Sequence, residues 1–535
     1  MSDQATSPPE AGHKHPLVRF LHWLLRDSVD PRHSYVLSRR IFLAGLGAVY
    51  LIAFISLWSQ IDGLVGSRGI LPAAEYLREI KQQQPDLSSL ERFFELPTLC
   101  WFGAGDPFLH FLCGSGVVLA CLVIVGIAPG PALVLLWLLY LSLVNVGQYF
   151  LGYQWDALLL ESGFLAILFA PWRPWYGPLI ARWRRVSVAR PSRIILLLLR
   201  WLLLRFMLLS GLVKLLSQTP EWRSLTAMRY HYWTQPLPTW TSWYANLEPN
   251  WFAAASVVIT LLIEVAAPLL VFLGRRGRLF ACAAFVFLQV MILLTGNFGF
   301  FNLLTIVLCV PLVDDAAWLW LSLHRLKMPP VALQPTRLNW FAIAASACLI
   351  LLTLAPSLRQ IGLRDFIPGP LDAAWRSVAP FESINGYGLF ADMTTRRWEL
   401  IIEGSDDRQT WKAYEFKWKP GDVTRRPRFC TPHMPRLDWQ MWFAALDLYY
   451  NRQLDPWVLS FLDRLREGSP PVLRLLRTNP FPDHPPKYLR LVIYDYHFTT
   501  WSERSKTGAW WRRDYVATLF SRPRYSGGGL GRGLQ

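Results

Sequence analysis

Long apolar stretches, separated by short polar loops, fill most of the chain between residues 41 and 357. A helix needs roughly 17 to 25 predominantly apolar residues to cross a bilayer. The pattern therefore predicts a polytopic α-helical membrane protein with about nine transmembrane helices. The apolar windows are 41–58, 107–127, 131–150, 155–171, 194–216, 251–273, 279–295, 300–322 and 339–357.

Basic residues collect in every second loop between these windows. They crowd the N-terminal segment and the loops 171–193, 274–278 and 323–338. Cytoplasmic loops carry an excess of lysine and arginine, and all four segments lie on one side in a nine-span arrangement that begins in the cytoplasm. The charge pattern thus predicts that the region after the last window is extracytoplasmic.

Shorter patterns replace the long apolar windows after residue 357. Residues 398–407 and 487–499 alternate apolar and polar positions, as strands do. Residues 437–450 and 457–468 have the 3.6-residue apolar period of amphipathic helices. We therefore expect a C-terminal extracytoplasmic domain of mixed β-sandwich/α type. The predicted divisions are a cytoplasmic N-terminal segment (1–40), a polytopic membrane domain (41–357), an extracytoplasmic C-terminal domain (358–520) and a disordered tail (521–535).

The composition agrees with a membrane domain joined to a soluble one. Of the 535 residues, 53% are hydrophobic and 17% are charged, which is too apolar for a single soluble domain. The formal net charge of +17 can indicate nucleic-acid binding. Because the arginines flank apolar windows, membrane orientation explains the charge better. We expect the lipid bilayer as a partner and no nucleic acid.

The seven cysteines form neither a zinc motif nor a CxxC redox pair. Five lie inside apolar windows, and Cys100 and Cys430 are the two outside them. The predicted topology places both on the oxidising side, so a disulfide between them and a pair of free thiols are both open. The sequence contains no metal-ligand spacing and no nucleotide-binding motif, and we expect neither metal nor cofactor.

Five charged residues inside apolar windows are candidates for a functional site, because charge at membrane depth is costly. A helix rises about 1.5 Å per residue, which places Arg205 and Glu264 near mid-depth in their windows. We therefore predict a buried Arg205–Glu264 ion pair. Lys214 lies closer to the external surface, so its predicted partner is Asp156 or Glu161. Helix clamping and a functional role are both compatible with this arrangement.

Lys214 supports a sharper hypothesis. A lysine partly removed from water has a lowered pKa and can act as a base or nucleophile, whereas a lysine that snorkels to the surface is structural. An enzymatic membrane domain would use Lys214 with Asp156 and Glu161. His231, which lies among aromatic residues beside the external face, is a further candidate. Such a histidine is more often structural than catalytic, and no catalytic residue is assigned.

Several long motifs rich in Trp, Pro and charge resemble the lipase maturation factor family. In the membrane domain they are QWDALLLESGFLA, RWLLLRFMLLSGLVK, EWRSLTAMRYHYWTQPLP and LLTGNFGFFNLLT. In the tail they are YEFKWKPGDVTRRPRF, PRLDWQMWFAAL and SPPVLRLLRTNPFPDHPPKYLRLVIYDYHFT. The resemblance implies a polytopic protein that, in animals, resides in the endoplasmic reticulum membrane and helps secreted lipases reach an active fold.

Two features depart from a eukaryotic member of that family. The chain has no N-x-[ST] sequon and no KDEL-like end. We therefore favour a bacterial inner-membrane homologue over a protein of the endoplasmic reticulum. A fainter similarity links the GLVK element to the membrane domain of vitamin K-dependent gamma-carboxylase. That similarity rests on Gly211, Val213, Lys214 and Trp222, and it implies a catalytic base at Lys214.

The leading hypothesis is a non-enzymatic maturation factor whose tail holds a secreted client protein, a lipase by resemblance. Trp439, Trp442 and Tyr449 are the candidates for client contact, although aromatic residues on an amphipathic helix are more often core. The alternative is a membrane enzyme that modifies a lipid-soluble or peptide substrate with Lys214 as base. A transporter is less favoured, because the sequence has no inverted repeat.

Overall fold

Each apolar window of the sequence is helical in the computed structural model, which describes residues 34–174, 188–322, 331–332 and 340–520. The helices of this region, in chain order, are α1 (Val36–Trp58), α2 (Ile61–Leu64), α3 (Ala73–Gln83), α4 (Ser89–Glu95), α5 (Asp106–Val125), α6 (Pro129–Val146), α7 (Gln154–Phe169), α8 (Arg193–Leu216), α9 (Met228–Thr234), α10 (Trp240–Ala245), α11 (Asn250–Leu270), α12 (Gly274–Thr295), α13 (Phe301–Cys309), α14 (Asp315–Leu321) and α15 (Trp340–Gln360). The predicted segment 521–535 and most of 1–40 lie outside the described residues.

Seven helices of the described residues are long and apolar enough to cross a membrane: α1, α5, α6, α8, α11, α12 and α15. The segments Phe301–Leu312 and Asp315–Leu321 form a pair bent by 114°, which gives eight spans if the pair counts as one. Helix α7 has 16 residues and is shorter than the roughly 20 that a span needs. The predicted polytopic α-helical membrane protein is confirmed, whereas the predicted count of about nine is not.

The bend after α13 brings an acid to the start of α1. The Asp315 carboxylate accepts hydrogen bonds from the backbone N–H groups of Val36 (2.9 Å) and Leu37 (2.9 Å). It thereby satisfies donors that have no partner inside the helix. The neighbouring Asp314 binds Arg275 on α12, with Nε 2.6 Å from the carboxylate. These two acids tie α1, α12 and α14 together at one end of the bundle.

The tail after α15 combines sheet and helix, as its sequence patterns predicted. The alternating segments form two long antiparallel strands, in which Trp398 pairs with Asp495 and Ser405 with Tyr488. They belong to a four-stranded antiparallel sheet, in which residues 412–413 pair with 398–405, 398–405 with 488–498, and 488–498 with 511–520. Residues 415–416 and 476–478 form a two-stranded sheet. The elements are β1 (Val188–Ala189) and β2 (Val331–Ala332), a short parallel pair, followed by α16 (Gly369–Val378), β3 (Trp398–Ser405), β4 (Lys412–Ala413), β5 (Glu415–Phe416), α17 (Arg436–Asn451), α18 (Pro456–Arg466), α19 (Pro470–Leu473), β6 (Leu476–Thr478), β7 (Tyr488–Phe498), α20 (Trp501–Thr507) and β8 (Trp511–Phe520).

The tail packs directly on the end of the bundle where α1 finishes. The Trp439 ring of α17 lies 4.8 Å from the Trp155 ring of α7, measured between centroids. The Trp457 ring of α18 lies 5.6 Å from the Phe150 ring. A single apolar core runs from the bundle through these aromatic contacts into the tail. The tail is thus held by burial of apolar surface, which is the main stabilising contribution in folding.

Candidate functional site at the junction of bundle and tail

Asp156, in the first turn of α7, binds an arginine that comes from the tail. Arg436 begins α17 and contacts both carboxylate oxygens, with Nη1–Oδ2 at 2.5 Å and Nη2–Oδ1 at 2.7 Å. The Tyr140 hydroxyl donates a further hydrogen bond of 2.5 Å to Asp156 Oδ1. Both partners of the ion pair are almost fully buried. Two-point binding of this kind fixes orientation as well as distance, so it locks the start of α17 onto the bundle.

Glu161, one and a half turns further along α7, binds Arg205 of α8 and a second piece of the tail. One oxygen faces the Arg205 guanidinium. The other accepts hydrogen bonds from the Asn385 backbone N–H (3.0 Å) and the Tyr387 hydroxyl (2.6 Å). Arg205 also donates to the Asn385 carbonyl. The segment that follows the last span is therefore bound to both α7 and α8.

Lys214 binds Glu264 on α11. Its Nζ lies 2.9 Å and 2.6 Å from the two carboxylate oxygens and 3.1 Å from the Ser210 carbonyl. Glu264 sits in a π turn, Leu262–Ala266, a distortion that often marks functional positions in helices. A Cβ at Gly211 would lie 2.6 Å from Val265, so glycine is what lets α8 and α11 approach closely enough for the pair.

Both predicted pairings are wrong. Arg205 binds Glu161 rather than Glu264, and Lys214 binds Glu264 rather than Asp156 or Glu161. The rise along each helix placed the acidic and basic residues at depths where ion pairs form. Depth alone does not show which faces of which helices are in contact. The prediction that charges at depth are matched by opposite charges holds for these described pairs, as the cost of an unpaired buried charge requires.

A further buried ion cluster attaches the tail sheet to the loop between α9 and α10. Arg397, just before β3, donates hydrogen bonds to the carbonyls of Trp233 (3.0 Å) and Pro236 (2.9 Å). Its guanidinium also contacts Glu399 Oε1 at 2.6 Å, and Lys419 binds the other Glu399 oxygen at 2.8 Å. All three side chains of the cluster are buried. The sheet therefore has its own anchor, separate from that of α17.

His231 lies beside Lys214 but is not arranged as a base. Its ring meets the Phe390 ring edge-on, with centroids 5.3 Å apart. Burial, and then the positive charge of Lys214, lower the pKa of His231 to about 4. The imidazole is consequently neutral at physiological pH, which fits the structural role that such a histidine usually has.

The three predicted client-contact residues contact other parts of the protein, and Trp439 is buried whereas Trp442 and Tyr449 are half-buried. Trp439 is 3% exposed and lies against Trp155. The Trp442 indole N–H donates to the Thr234 carbonyl at 2.8 Å, and the Tyr449 ring meets the Trp398 ring at 4.6 Å. The predicted exposure is therefore wrong for Trp439, and client contact by the half-buried Trp442 and Tyr449 stays a prediction. The amphipathic pattern marked a buried face, since the bundle and the sheet cover that side of α17.

Cys100 and Cys430 are both buried free thiols, so the alternative of free thiols holds and the disulfide alternative does not. Burial raises the pKa of the Cys100 thiol to about 11, which keeps it protonated. A protonated, buried thiol is unreactive. Neither cysteine contributes chemistry to the junction.

Three of the four predicted catalytic candidates are engaged in buried ion pairs. Asp156, Glu161 and Lys214 belong to three different ion pairs, and each is at most 3% exposed. A cavity of about 20 Å³ borders the Glu161–Arg205 pair, with room for roughly one water molecule. Carboxylates and an ammonium group that are already bound to oppositely charged partners are typical of ion pairs that hold helices together. The geometry of these described residues does not favour acid–base catalysis by Lys214.

Sequence reasoning missed Arg436 and Arg397, the two tail arginines that complete the junction. One signal was available for Arg436. The predicted pairings used Asp156, Glu161 and Glu264 against only two bases, so one acid still needed a cation from elsewhere in the chain. No comparable signal pointed to Arg397, because its acidic partner Glu399 lies only two residues away and its contacts to the α9–α10 loop are to backbone carbonyls, which every residue has.

The shared core and the buried pairs define a membrane-anchored protein whose tail is built onto its helical bundle. Comparison with known families agrees with this division. The model of the lipase maturation factor transmembrane domain matches residues 37–320, and that of the lipase maturation factor C-terminal domain matches residues 383–521. The chain belongs to the lipase maturation factor family.

Individual relatives cover most of both chains. Lipase maturation factor 2 of Gallus gallus is 37% identical over 90% of this chain and 80% of its own length. The Homo sapiens protein of the same name is 35% identical over 90% and 82%. Lipase maturation factor 1 of Bos taurus is 31% identical over 91% and 89%. No solved structure matches the chain, and the similarity to gamma-carboxylase stays a prediction.

Proposed function

We propose that this protein is a membrane maturation factor for secreted lipases. The observation that carries the proposal is that similarity to lipase maturation factors spans both the bundle and the tail. The buried Arg436–Asp156 and Arg397–Glu399 contacts add a physical reason for keeping the two parts in one chain. They hold the tail in a fixed position beside the bilayer, where a newly translocated client emerges.

We infer that the tail lies on the periplasmic or lumenal side of the membrane, with the bacterial inner membrane favoured over the endoplasmic reticulum. The basic starts of α1 and α12 support the side of the tail, whereas the preference for the bacterial membrane rests on the lack of an N-x-[ST] sequon in the sequence. Helix α1 begins near Arg39 and ends beside the tail, where Ser56 is 2.9 Å from His433. Helix α12 begins near Arg275 and ends beside Cys430. Arginine-rich ends face the cytoplasm, so the opposite ends and the tail face away from it.

A groove beside α17 is the surface that we propose for client contact. It has a volume of about 530 Å³ and is lined by residues of the α6–α7 connection and of α17, among them Tyr149, Tyr153, Gln440 and Phe443. Apolar surface that is open to solvent and rimmed by polar side chains is typical of protein-binding sites. We propose this groove in place of the buried Trp439 as the contact surface on the same helix.

The function is tested by co-expressing a secreted lipase with the full chain in a host that has no lipase maturation factor. The measurement is lipase activity per mass of secreted enzyme. We expect the wild-type chain to raise this specific activity. Tyr149→Ser/Phe443→Ser should abolish most of the increase, because it removes apolar contact area from the groove.

Tyr450→Ser is the matched control, since Tyr450 is exposed on the same helix but outside the groove. It should behave as wild type. A wild-type chain that leaves the specific activity unchanged would overturn the maturation function itself. A groove variant as effective as wild type would overturn only the contact surface. Fusing a topology reporter after Phe520 tests the orientation, which a cytoplasmic signal would contradict.

A further inference from the structure

Exposed aromatic and basic side chains gather where the tail meets the tail-side ends of α11 and α12. This aromatic–basic patch consists of the half-buried Trp240 and the exposed Arg426, Arg428, Phe429, Trp501 and Lys506. It is separate from the buried junction and from the client groove. Its tail residues come from two separate segments, 426–429 and 501–506, and Trp240 comes from the membrane domain. The fold rather than the local sequence therefore assembles the patch.

Hydrogen bonds fix the height of the patch relative to the bilayer. Asn297, which directly follows α12, donates to the Arg428 carbonyl at 2.8 Å and accepts from the Cys430 backbone N–H at 2.8 Å. The Thr241 hydroxyl of α10 donates to the Leu294 carbonyl in the last turn of α12. Residues 428–430 and the start of α10 are therefore held at the level where this membrane span ends.

The exposed surfaces of the adjoining spans are apolar up to that same level. On α12, Met291 is 40% exposed and Leu294 is 48% exposed. At the start of α11, Trp251 is 71% exposed. Side chains of this kind on a membrane span face acyl chains, and tryptophan concentrates at the boundary with the headgroups. The patch thus begins where the hydrocarbon contact ends.

Helix α20 reaches the same level through aromatic contacts with α10. The Trp501 ring lies 5.7 Å from the Trp243 ring and 6.3 Å from the Tyr244 ring. Trp501 itself is 60% exposed. An amphipathic ring beside the end of a span suits the headgroup layer, where one side is apolar and the other is hydrated.

The positive charges of the patch are available for a ligand. Arg426, Arg428 and Lys506 are exposed and have no ion pair with any acid in the described part of the chain. The nearest acid on α20, Glu503, is already engaged by the Thr500 backbone N–H at 2.7 Å and by Arg512 at 3.2 Å. The Arg426 guanidinium lies over the Trp240 ring, 4.6 Å from the ring centroid, as cations do at the face of an aromatic ring.

We propose that the aromatic–basic patch is a binding site for the phosphate-bearing headgroups of phospholipids, anionic ones above all. The aromatic rings sit at headgroup depth and the three free cations face the phosphates. Basic residues near a membrane surface are attracted to anionic lipid. The site rests on the tail beside α11 and α12, and it holds the tail against the leaflet independently of the buried ion pairs and of the proposed function.

The first test compares the full chain in phosphatidylcholine nanodiscs with and without phosphatidylglycerol. Phosphatidylglycerol should raise the thermal unfolding midpoint of the wild type, because a ligand that binds the folded state stabilises it. Arg428→Gln/Lys506→Gln should lose more than half of that shift. Inorganic phosphate added to phosphatidylcholine nanodiscs should not reproduce the shift, and reproduction by phosphate would overturn the lipid assignment in favour of a general anion site.

The matched control removes two positive charges from the far end of the tail sheet. Lys412 pairs with Gly404, and Lys487 precedes Tyr488, which pairs with Ser405 at the end of β3 away from Arg397. Lys412→Gln/Lys487→Gln should keep the full phosphatidylglycerol shift. Equal losses in the two variants would show that net charge rather than the patch attracts the lipid, and would overturn the proposal.

A second measurement detects the lipid contact directly, without comparing unfolding midpoints. The photo-crosslinking residue p-benzoylphenylalanine is placed at Trp501 and, as control, at Trp411, which precedes β4 at the far end of the sheet. Irradiation in nanodiscs should give lipid adducts at position 501, detected by mass spectrometry, and none at position 411. Absence of lipid adducts at position 501 would show that α20 does not reach the headgroups.

Discussion

Helices α8 and α12 have similar lengths and opposite surroundings. The 24 residues of α8 include an apolar stretch that is 67% buried, whereas the corresponding stretch in the 22 residues of α12 is 22% buried. Arg205 and Lys214 lie within α8, and each faces an acid. The arginines of α12 lie at its start, and its exposed positions are apolar, with Phe280 at 64% and Phe287 at 50%.

This difference shows where the protein can place charge along a membrane helix. A charge at depth needs an enclosed face and an opposite charge, because bare hydrocarbon offers neither water nor a counter-ion. Helix α8 has both, since α7, α11 and the tail surround it. Helix α12 has neither along most of its length, so its charges stay near the aqueous end. The charged residues that bind the tail therefore lie on the enclosed helices, whereas the exposed surface of α12 mainly contacts lipid.

The largest expected effect comes from breaking a pair on α8. Lys214→Met leaves Glu264 buried without a cation and should destabilise the protein by about 3–5 kcal/mol. Arg276→Met on α12 removes an exposed charge and should stay within about 0.5 kcal/mol of wild type. Equilibrium unfolding of the purified full chain in detergent measures both. The double variant Lys214→Met/Glu264→Leu should recover most of the loss, and a double variant as unstable as the single one would contradict a role for the pair.

A pH-dependent effect should follow at the tail-side end of α7. Burial, followed by the charges of Asp156 and Glu161, raises the pKa of Glu382 to about 7 from its ordinary 4.5. The folded state therefore binds the proton more tightly than the unfolded state. The stability that protonation contributes is complete below about pH 4.5 and is lost as the pH rises through about 7.

Glu382→Gln cannot ionise, so its stability relative to wild type should increase over the same interval. The gain above pH 7 should approach roughly 3 kcal/mol, at about 1.4 kcal/mol for each unit of pKa difference. Unfolding midpoints of the two proteins at pH 5 and pH 8 measure it. A difference that does not change between these two pH values would contradict the assignment to Glu382.

A packing change inside the bundle should have an intermediate effect. A Cβ at Gly163 on α7 would collide with the Tyr50 hydroxyl of α1. Gly163→Ala should therefore cost about 1–3 kcal/mol, the usual range for overpacking. Gly152→Ala is the control, since its nearest neighbour would be the Gln148 carbonyl at 3.7 Å, an ordinary contact. Equal unfolding midpoints for the two variants would show that α1 and α7 are not closely packed there.

The smallest effect is expected on the lipid-facing side of α12. Phe280→Ala should change the free energy of unfolding by less than about 0.5 kcal/mol, because the exposed ring makes few contacts within the protein that the substitution could remove. Phe206→Ala on α8 removes a ring that is 2% exposed and should cost about 3–5 kcal/mol. Comparable losses from the two substitutions would contradict the contrast between an enclosed and a lipid-facing helix.

Much of the architecture could be predicted from sequence periodicity. The apolar windows became helices, and the alternating segments of the tail became the paired strands β3 and β7. The predicted count of about nine spans is not confirmed, because α7 has only 16 residues and the pair after α13 is bent by 114°. Apolar composition records burial as well as membrane depth, so it cannot separate a short enclosed helix from a full span.

The candidate site was predictable only in part. The sequence singled out Asp156, Glu161, Glu264, Arg205 and Lys214, and all five lie in buried ion pairs. The partner of each charged residue was not predictable. Depth gives only the position along the membrane normal, whereas the partner depends on how each helix is rotated and on which helices are adjacent. Nor did periodicity separate a buried aromatic face from an exposed one, so Trp439 was placed on the wrong side.

The sequence by itself determined a membrane protein with costly internal charges, a mixed tail and membership of its family, since composition, period and motif order are properties of the linear chain. The tertiary structure decided that Arg436 forms an ion pair with Asp156 and that Arg397 attaches the sheet to the bundle. It also decided which aromatic residues are buried and which reach the headgroup layer. Such choices depend on contacts between residues hundreds of positions apart, and only folding brings those residues together.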